Sequence, residues 1–578
     1  MTLALLRRVA QTSSGAVART GQSRALATTT AVAWGSSRSG SEGGQRAGAF
    51  AIHSGRLALA AALVAAAGSG AGLTGSGGEN TRATPFASCA AASDTPSSRV
   101  YRASEVATHT TPATGVWVTY QGSVYDITKF IVNHPGGQDK ISLAAGKDIG
   151  PYWRLYPQHT RTAYPQEVLG GMKIGSLHPD DVKAAAKEAD PSDPYSADPE
   201  GSSVLHYHMK RPTNAEAPGS LLGASWITPS GLWFVRNHHP VPHIAADEHR
   251  MTISGRADGK RDFTLNVAQL KEAYPKHSIV SSVQCGGNRR AGMNEVKRTN
   301  GSPWAISAMS TAQWGGARLG DVLRSLGVDE EYVETHGIKH VIFEGAEDMQ
   351  ASIPIRKALD RYGDTLLAYE MNGEAVPESH GHPLRLVVPG HVGVRNVKWV
   401  KNIVLSADEA TGPWQRGMSY KGFGPSTTSL EGIDVAGIPS LQEQPVQSAI
   451  TLPTAGSSVA PGDVVSLKGY AYSGGGRGIV RVDVSVDGGK MWKNATLGEG
   501  SHQPLDRAWA WTLWELDVEL PEDLPVGSQV ECICKATDAS YNVQPDTVQG
   551  IWNLRGINNN AWHRVSIPVV AAPDDEEE

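Results

Sequence analysis

The sequence predicts a multidomain α+β protein: a small α+β domain, a large mixed α/β region and a C-terminal all-β sandwich. Three observations predict it. A chain of 578 residues, 40% hydrophobic and 19% charged, is ordinary globular stock with room for several cores. Ser176 to Ser203, rich in proline, acid and small residues, cannot bury a core and reads as a mobile linker. After about Ile433 the texture turns to short alternating strands punctuated by glycine turns. A formal net charge of -6 makes neither nucleic acid nor an anionic membrane an attractive partner. Four cysteines are too few for a disulfide framework at this length.

In chain order, the first fifty residues carry Arg7, Arg8, Arg19, Arg24, Arg38 and Arg46 against one acid, Glu42, as an organellar presequence does. The apolar run LALAAALVAAAG after Arg56 is too short for a stable membrane span. Arginine-rich first and apolar second is the layout of a bipartite signal that delivers its passenger to the mitochondrial intermembrane space. A plastid transit peptide, or a leader without sorting meaning, is the alternative. Residues 1–98 are therefore read as a targeting presequence and disordered leader, with Cys89 incidental.

From Val100 the chain reads as folded. GVWVTYQGSVY, Gly115 to Tyr125, alternates apolar and polar residues about Gln121-Gly122, a β-hairpin. In DITKFIVNHPGG, Pro135 and its glycines end the preceding helix and leave His134 on a rigid corner. One such corner can be only a turn. His159 follows in YWRLYPQH, beyond a helical stretch, where it can face His134 across a flat ligand. Tyr101 to Leu177 resembles the cytochrome b5 family along its whole length. The resemblance implies haem b with His134 and His159 as paired axial ligands, an iron that carries electrons and binds no substrate.

The central region begins near Leu205. WFVRNHHPVP is a strand running into a loop that presents Arg236, Asn237 and His238; DFTLNVAQLKEAYP passes from strand to helix; ARLGDVLRSLGV places Leu319, Val322, Leu323 and Leu326 at helical spacing. Leu366 to Leu405 alternates strands with Gly/Pro turns and is dense in basic residues and histidines. SSVQCGGNRR, Ser281 to Arg290, sets Cys285 before two glycines and two arginines, a field that favours a thiolate. Three readings stand open on these residues alone: a buried structural cysteine, a cysteine nucleophile, or a soft thiolate ligand. No CxxC or HExxH spacing accompanies it, so a zinc or iron-sulfur site is a poor match.

The last region is read as an immunoglobulin-like sandwich. IVRVDVSVDGGKMW puts Val482, Val484 and Val486 on one face and Arg481, Asp483 and Ser485 on the other; VECICKATDASYN puts Val530, Cys532, Cys534 and Ala536 on one face, the cysteines as small core hydrophobes. The tail DDEEE is a solvated acidic end.

Taken in order, SSVQCGGNRR, FVRNHHPVP, HPLRLVVPG, NVKW, SYKGFGP and WNLRGINNNAWHRV resemble the catalytic and dimerisation domains of the sulfite oxidase family, and the haem domain in front makes the resemblance that of the animal type. It implies 99–177 as a cytochrome b5-like haem domain, 178–204 as a flexible linker, 205–432 as a molybdopterin catalytic domain of mixed α/β fold, 433–570 as an immunoglobulin-like dimerisation domain, and 571–578 as an acidic tail. It implies molybdenum held by the dithiolene of a molybdopterin and by the Cys285 thiolate, with Phe234, Val235, Arg236, Asn237, His238, His380, Arg385, Asn396, Val397 and Lys398 around the pterin and its phosphate. Where the family carries an aspartate in a longer loop after FEG, this chain reads FEGAEDMQASIP, and Asp348 is expected there in preference to Glu347. Sulfite is expected among Arg236, Arg290 and Arg555, with Trp304 and Tyr420 closing the pocket.

The activity implied is oxidation of sulfite to sulfate by oxygen-atom transfer. Electrons would leave one at a time through the haem to cytochrome c, a basic protein suited to Glu105, Asp126, Asp139 and Asp148. A homodimer through the C-terminal domain is implied too. The rivals are a nitrate reductase-like molybdoenzyme, whose haem domain follows the sandwich, and a non-catalytic b5-type electron-transfer protein. A cysteine peptidase is the weakest reading, because nothing around Cys285 resembles a triad.

Overall fold

Residues 99–572 are described by the structure, a computed structural model, apart from 136–137, 156–158, 160–162, 186–193 and 258. The expected leader and most of the acidic tail lie outside the described residues. No described helix is long and apolar enough to cross a membrane.

The first domain is built on a five-stranded sheet in the order Val100–Tyr101, Lys173–Leu177, Ser123–Asp126, Gly115–Tyr120, Thr110–Thr111. The expected hairpin is there, with Tyr120 opposite Ser123. Gln121 and Gly122 both take positive φ, 47° and 75°, the two-residue turn whose twist matches its strands. A short 3-10 turn, Ile131–Asn133, precedes His134, where the backbone becomes extended. Composition alone misleads about part of the linker. Pro179–Ala185 is helical, and Asp181 ties it back to the haem domain by accepting from the Ala103 amide at 2.8 Å and pairing with Arg102 at 2.9 Å. At the far end Asp198 accepts from the Val241 amide at 2.7 Å, and Val204 is buried.

Two sheets carry the central region. One has the order Phe263–Leu265, Met251–Ser254, Val400–Ser406, His340–Gly345, Gln350–Pro354; the other runs His277–Gln284, Met309–Arg318, Leu366–Met371, Glu374–Ala375, with Arg385–Val387 also on Leu366–Met371. A three-stranded sheet, His206–Met209, Asn214–Glu216, Val235–Arg236, joins them. The helix Val267–Ala273 starts with a capping box, Asn266 and Gln269 exchanging side-chain and backbone hydrogen bonds. The helix Leu319–Ser325 buries Leu319, Val322 and Leu323, each stabilising by about 1.5–3 kcal/mol over exposure.

The sandwich has two four-stranded sheets, ordered Gln447–Leu452, Val464–Tyr472, Thr512–Glu519, Thr496–Leu497 and Lys493–Asn494, Ile479–Ser485, Gln529–Asp538, His563–Pro568. Val530, Cys532, Cys534 and Ala536 line its core as the alternation predicts, and both thiols are free. Burial pushes them up to about 12 and about 11, so they are inert. Ser485 departs from the outward face expected of it. It is buried in the following turn, where its hydroxyl donates to Asp487 at 2.7 Å and accepts from the Gly489 amide at 2.9 Å.

Asp364 clamps the sandwich to the central region. Its fully buried carboxylate accepts from Arg507 at 2.7 Å to each oxygen, from Trp509 Nε1 at 2.9 Å and from His277 at 3.0 Å. Removing the charge leaves the part-buried Arg507 facing a neutral amide. Asp364→Asn is expected to destabilise the protein by about 3–5 kcal/mol, as for other broken buried pairs. The urea midpoint measures it, and a midpoint unchanged within error counts against the clamp.

Candidate functional site

The strand His277–Gln284 delivers Cys285 to the floor of a cleft. Its amide donates to Ala308 O at 2.9 Å, its carbonyl accepts from the Asn288 amide at 3.0 Å, and the Gly287 amide donates to Sγ at 3.4 Å. The thiol is 7% exposed and borders two adjoining compartments that share Arg236, His238, Cys285 and Tyr420.

One compartment, about 580 Å³, is lined by Arg236, Arg290 and Arg555, with Trp304, Trp414 and Tyr420 as walls. Its lining includes no carboxylate. Arg290 is held by donation to Gly556 O at 3.0 Å and Ser302 O at 2.7 Å, which leaves other N–H groups for the cavity. The glycines explain how so large a side chain fits. A Cβ on Gly287 would lie 2.5 Å from the guanidinium, one on Gly301 2.6 Å, and one on Gly556 2.7 Å from the Arg290 stem. Gly287 thus makes room for Arg290, and only Gly286 faces Val392 and Tyr420. Burial lowers the pKa of Arg290 and Arg555 and raises that of Tyr420 to about 12, so the phenol stays protonated.

The other compartment, about 620 Å³, is lined by Phe234, His380, Arg385, Asn396, Val397 and Lys398 among others. Arg385 is wholly buried, donates to His380 O at 2.8 Å and Asn396 O at 3.2 Å, and lies over Trp314 at 4.8 Å. Lys398 donates to Ser379 O at 3.0 Å and to the Asn237 carboxamide oxygen. Burial pushes Arg385 down to about 9 and Lys398 down to about 7, Arg385 and Arg236 adding repulsion at the lysine. Buried cations on carbonyls and rings call for an anion. Glu347 faces the same space with its carboxyl raised by burial, and its Oε2 and Asn237 Nδ2 lack hydrogen-bond partners. The orphaned Glu347 oxygen and the cation pair fit a ligand with an anionic end and a hydrogen-bonding ring, as a phosphorylated pterin has.

Not every expected residue reaches the site. Asp348 does not: it takes φ 61° at the hairpin turn after Gly345, so its carboxylate points to solvent and pairs with Lys401 at 2.7 Å. Glu347 lines the cavity in its place. Val235 packs into a hydrophobic core, and Asn237 stands behind the lining as an acceptor for Lys398. Trp304, with no exposure, meets Phe234 edge-on at 6.4 Å. Trp233, Met349, Ser379 and Trp414 line the cleft without having been singled out. Trp414 meets His238 edge-on at 5.2 Å, a contact across 176 residues that no local pattern reveals.

Burial holds His238 down at about 2, and His380 and His391 at about 3, against an ordinary 6.5. Below 6.5 the unfolded chain takes up protons that the folded chain refuses, so stability falls as pH falls. The full contribution is present only above 6.5. Each histidine removes up to about 1.4 kcal/mol per pH unit between those limits. The urea midpoint is expected to drop steeply from pH 6.5 to about 4; a flat profile counts against neutral burial.

In the first domain His134 and His159 lie parallel, 4° between planes and 6.1 Å between ring centres, and Trp153 stacks behind His159 at 5.7 Å. Two imidazole–metal bonds of about 2 Å each, plus the half-widths of the rings, fill that gap. The pair therefore fits a six-coordinate haem iron.

The comparisons agree with the three-part organisation. Residues 102–178 match the cytochrome b5-like heme/steroid binding domain, 238–414 the oxidoreductase molybdopterin binding domain, and 439–570 the Mo-co oxidoreductase dimerisation domain. The chain is 46% identical over 488 residues to the mitochondrial sulfite oxidase of Rattus norvegicus, covering 83% of this chain and 86% of that one. It is 46% identical over 475 residues to the sulfite oxidase of Gallus gallus, covering 81% and 100%. The crystal structure of the sulfane dehydrogenase SoxCD from Paracoccus pantotrophus superposes with a TM-score of 0.53 at 24% identity, over 67% of this chain and 97% of that chain, a likeness of fold alone.

Proposed function

The chain belongs to the sulfite oxidase family, and on that premise we propose that its two compartments bind the molybdenum cofactor and sulfite side by side at Cys285. It is a molybdenum-dependent sulfite oxidase with molybdopterin and haem b. Cys285 would hold the cofactor's metal, which would supply oxygen-atom transfer and two-electron redox chemistry. Phe234, Arg236, His238, His380, Arg385, Asn396, Val397 and Lys398 would hold the pterin and its phosphate, with the Glu347 carboxyl available to its ring N–H groups. The observation that carries the reading is the convergence of Arg236, Arg290 and Arg555 on the cavity that Cys285 borders, with no carboxylate in its lining. Three guanidiniums neutralise a small dianion and orient its sulfur, and the buried walls exclude water that would screen them. Tyr420, kept protonated, donates to an anionic oxygen.

Sulfite and water become sulfate, two protons and two electrons. His134 and His159 would hold a haem iron that would supply one-electron transfer, and the acceptor is cytochrome c, drawn by Glu105, Asp126 and Asp148. The protein works in mitochondria, in the intermembrane space, which the arginine-then-apolar leader supports. It forms a homodimer through 433–570. The test is the purified full chain: molybdenum and haem in equal amounts, and haem reduced on adding sulfite. Nitrate reduction by reduced dye, without sulfite oxidation, sinks the reading.

A further inference from the structure

We propose that the three-residue strand Asn214–Glu216 is a positioning element that sets the separation of Arg236 from Arg290 across the anion compartment, and thereby the affinity for the small oxyanion. The inference rests on the sulfite oxidase reading above. All three residues are buried, and none lines either compartment.

One end of the strand holds Arg236. Asn214 is the register partner of Arg236, and its carboxamide oxygen accepts from that guanidinium at 2.8 Å. The carboxamide nitrogen donates to Pro212 O at 2.9 Å, so the side chain cannot swing away.

The other end holds the opposite wall. Glu216, 2% exposed, accepts from the Ala305 amide at 2.7 Å and the Ser307 amide at 2.8 Å, and from His208 Nε2 at 2.6 Å. Charge-assisted hydrogen bonds of this length are the stiffest available to a loop. The loop so fixed carries Trp304 and supplies Ser302 O to Arg290 at 2.7 Å. It also brackets Arg290 along the chain, since the Arg289 amide donates to Ala305 O at 2.7 Å and the Ala291 amide to Trp304 O at 3.0 Å. Two arginines on facing walls are therefore referenced to residues two apart on one strand, and an extended strand has no soft torsion with which to change that spacing.

The test uses holoenzyme carrying Asn214→Ala, Glu216→Gln or both, with KM for sulfite, kcat, and the inhibition constant of sulfate as a competing oxyanion. KM is independent of the fraction of active molecules, so partial misfolding does not imitate the effect. Each single variant is expected to raise KM and the sulfate constant by the same factor, about tenfold, with kcat changed less than about twofold. The double variant should raise KM by less than the product of the singles, because both act through one strand. Unchanged KM, a fall in kcat at constant KM, or multiplicative effects in the double variant overturns the inference. If Glu216→Gln does not fold, Asn214→Ala alone decides it. A wild type that sulfite does not reduce sinks the functional reading instead.

Discussion

Cys285→Ser is expected to abolish sulfite-dependent haem reduction, to below about one-thousandth of wild type, while the haem spectrum stays unchanged. Serine is nearly isosteric, so the 7% exposed position tolerates it and Ala308 O keeps its partner. What is lost is the soft donor: a hydroxyl offers a hard oxygen in place of a soft sulfur. Changes one shell out from a metal cost about 10–100-fold, and a first ligand costs more. Molybdenum analysis, sulfite kinetics and an absorbance spectrum are the measurements. Retained turnover with retained molybdenum would falsify the assignment of Cys285 as ligand.

Arg290→Gln should reduce kcat/KM for sulfite by about 10³-fold, split between a higher KM and a lower kcat. Loss of one preorganised cationic donor typically costs about 10²–10³ in turnover. Here the same donor also binds the ground-state anion, so KM moves as well. Glutamine can still donate to Ser302 O, which keeps the loop in place and separates charge from structure. Arg290→Lys is expected to recover only part of the loss, since a point charge cannot both hold Gly556 O and reach the cavity. Steady-state kinetics with molybdenum-normalised enzyme checks it; a kcat/KM within about tenfold of wild type rules Arg290 out as a major contributor.

Features whose cause is local were legible in the sequence. Gln121-Gly122 makes a hairpin because two consecutive residues must take positive φ, and Leu319, Val322 and Leu323 recur at the period of one turn. The expected iron ligands His134 and His159, and Cys285, were singled out because each lies beside a glycine or proline that interrupts a pattern. Misreadings arose where one torsion or one distant partner decides. At the Glu347-Asp348 pair a left-handed φ at the second residue turns it outward, and two adjacent acids give no hint of which. Gly286-Gly287 reads in the sequence as clearance for a pterin-bound metal, whereas what lies against Gly287 is Arg290. Asp364, Asn214 and Glu216 carry no local signature. The donors that explain Asp364 lie as far as 145 residues away, and those of Glu216 about as far as 91.

Arg290 is threaded between glycines drawn from both ends of the fold, Gly287 and Gly301 near the thiol and Gly556 in the sandwich. Every proposed pterin and phosphate contact lies before residue 399, with Tyr420 the last shared wall, whereas the oxyanion cavity needs Arg555 and Gly556. A chain cut short before Arg555 would therefore keep every residue proposed to touch the pterin yet lose one guanidinium of the oxyanion cavity and the glycine that lies against Arg290.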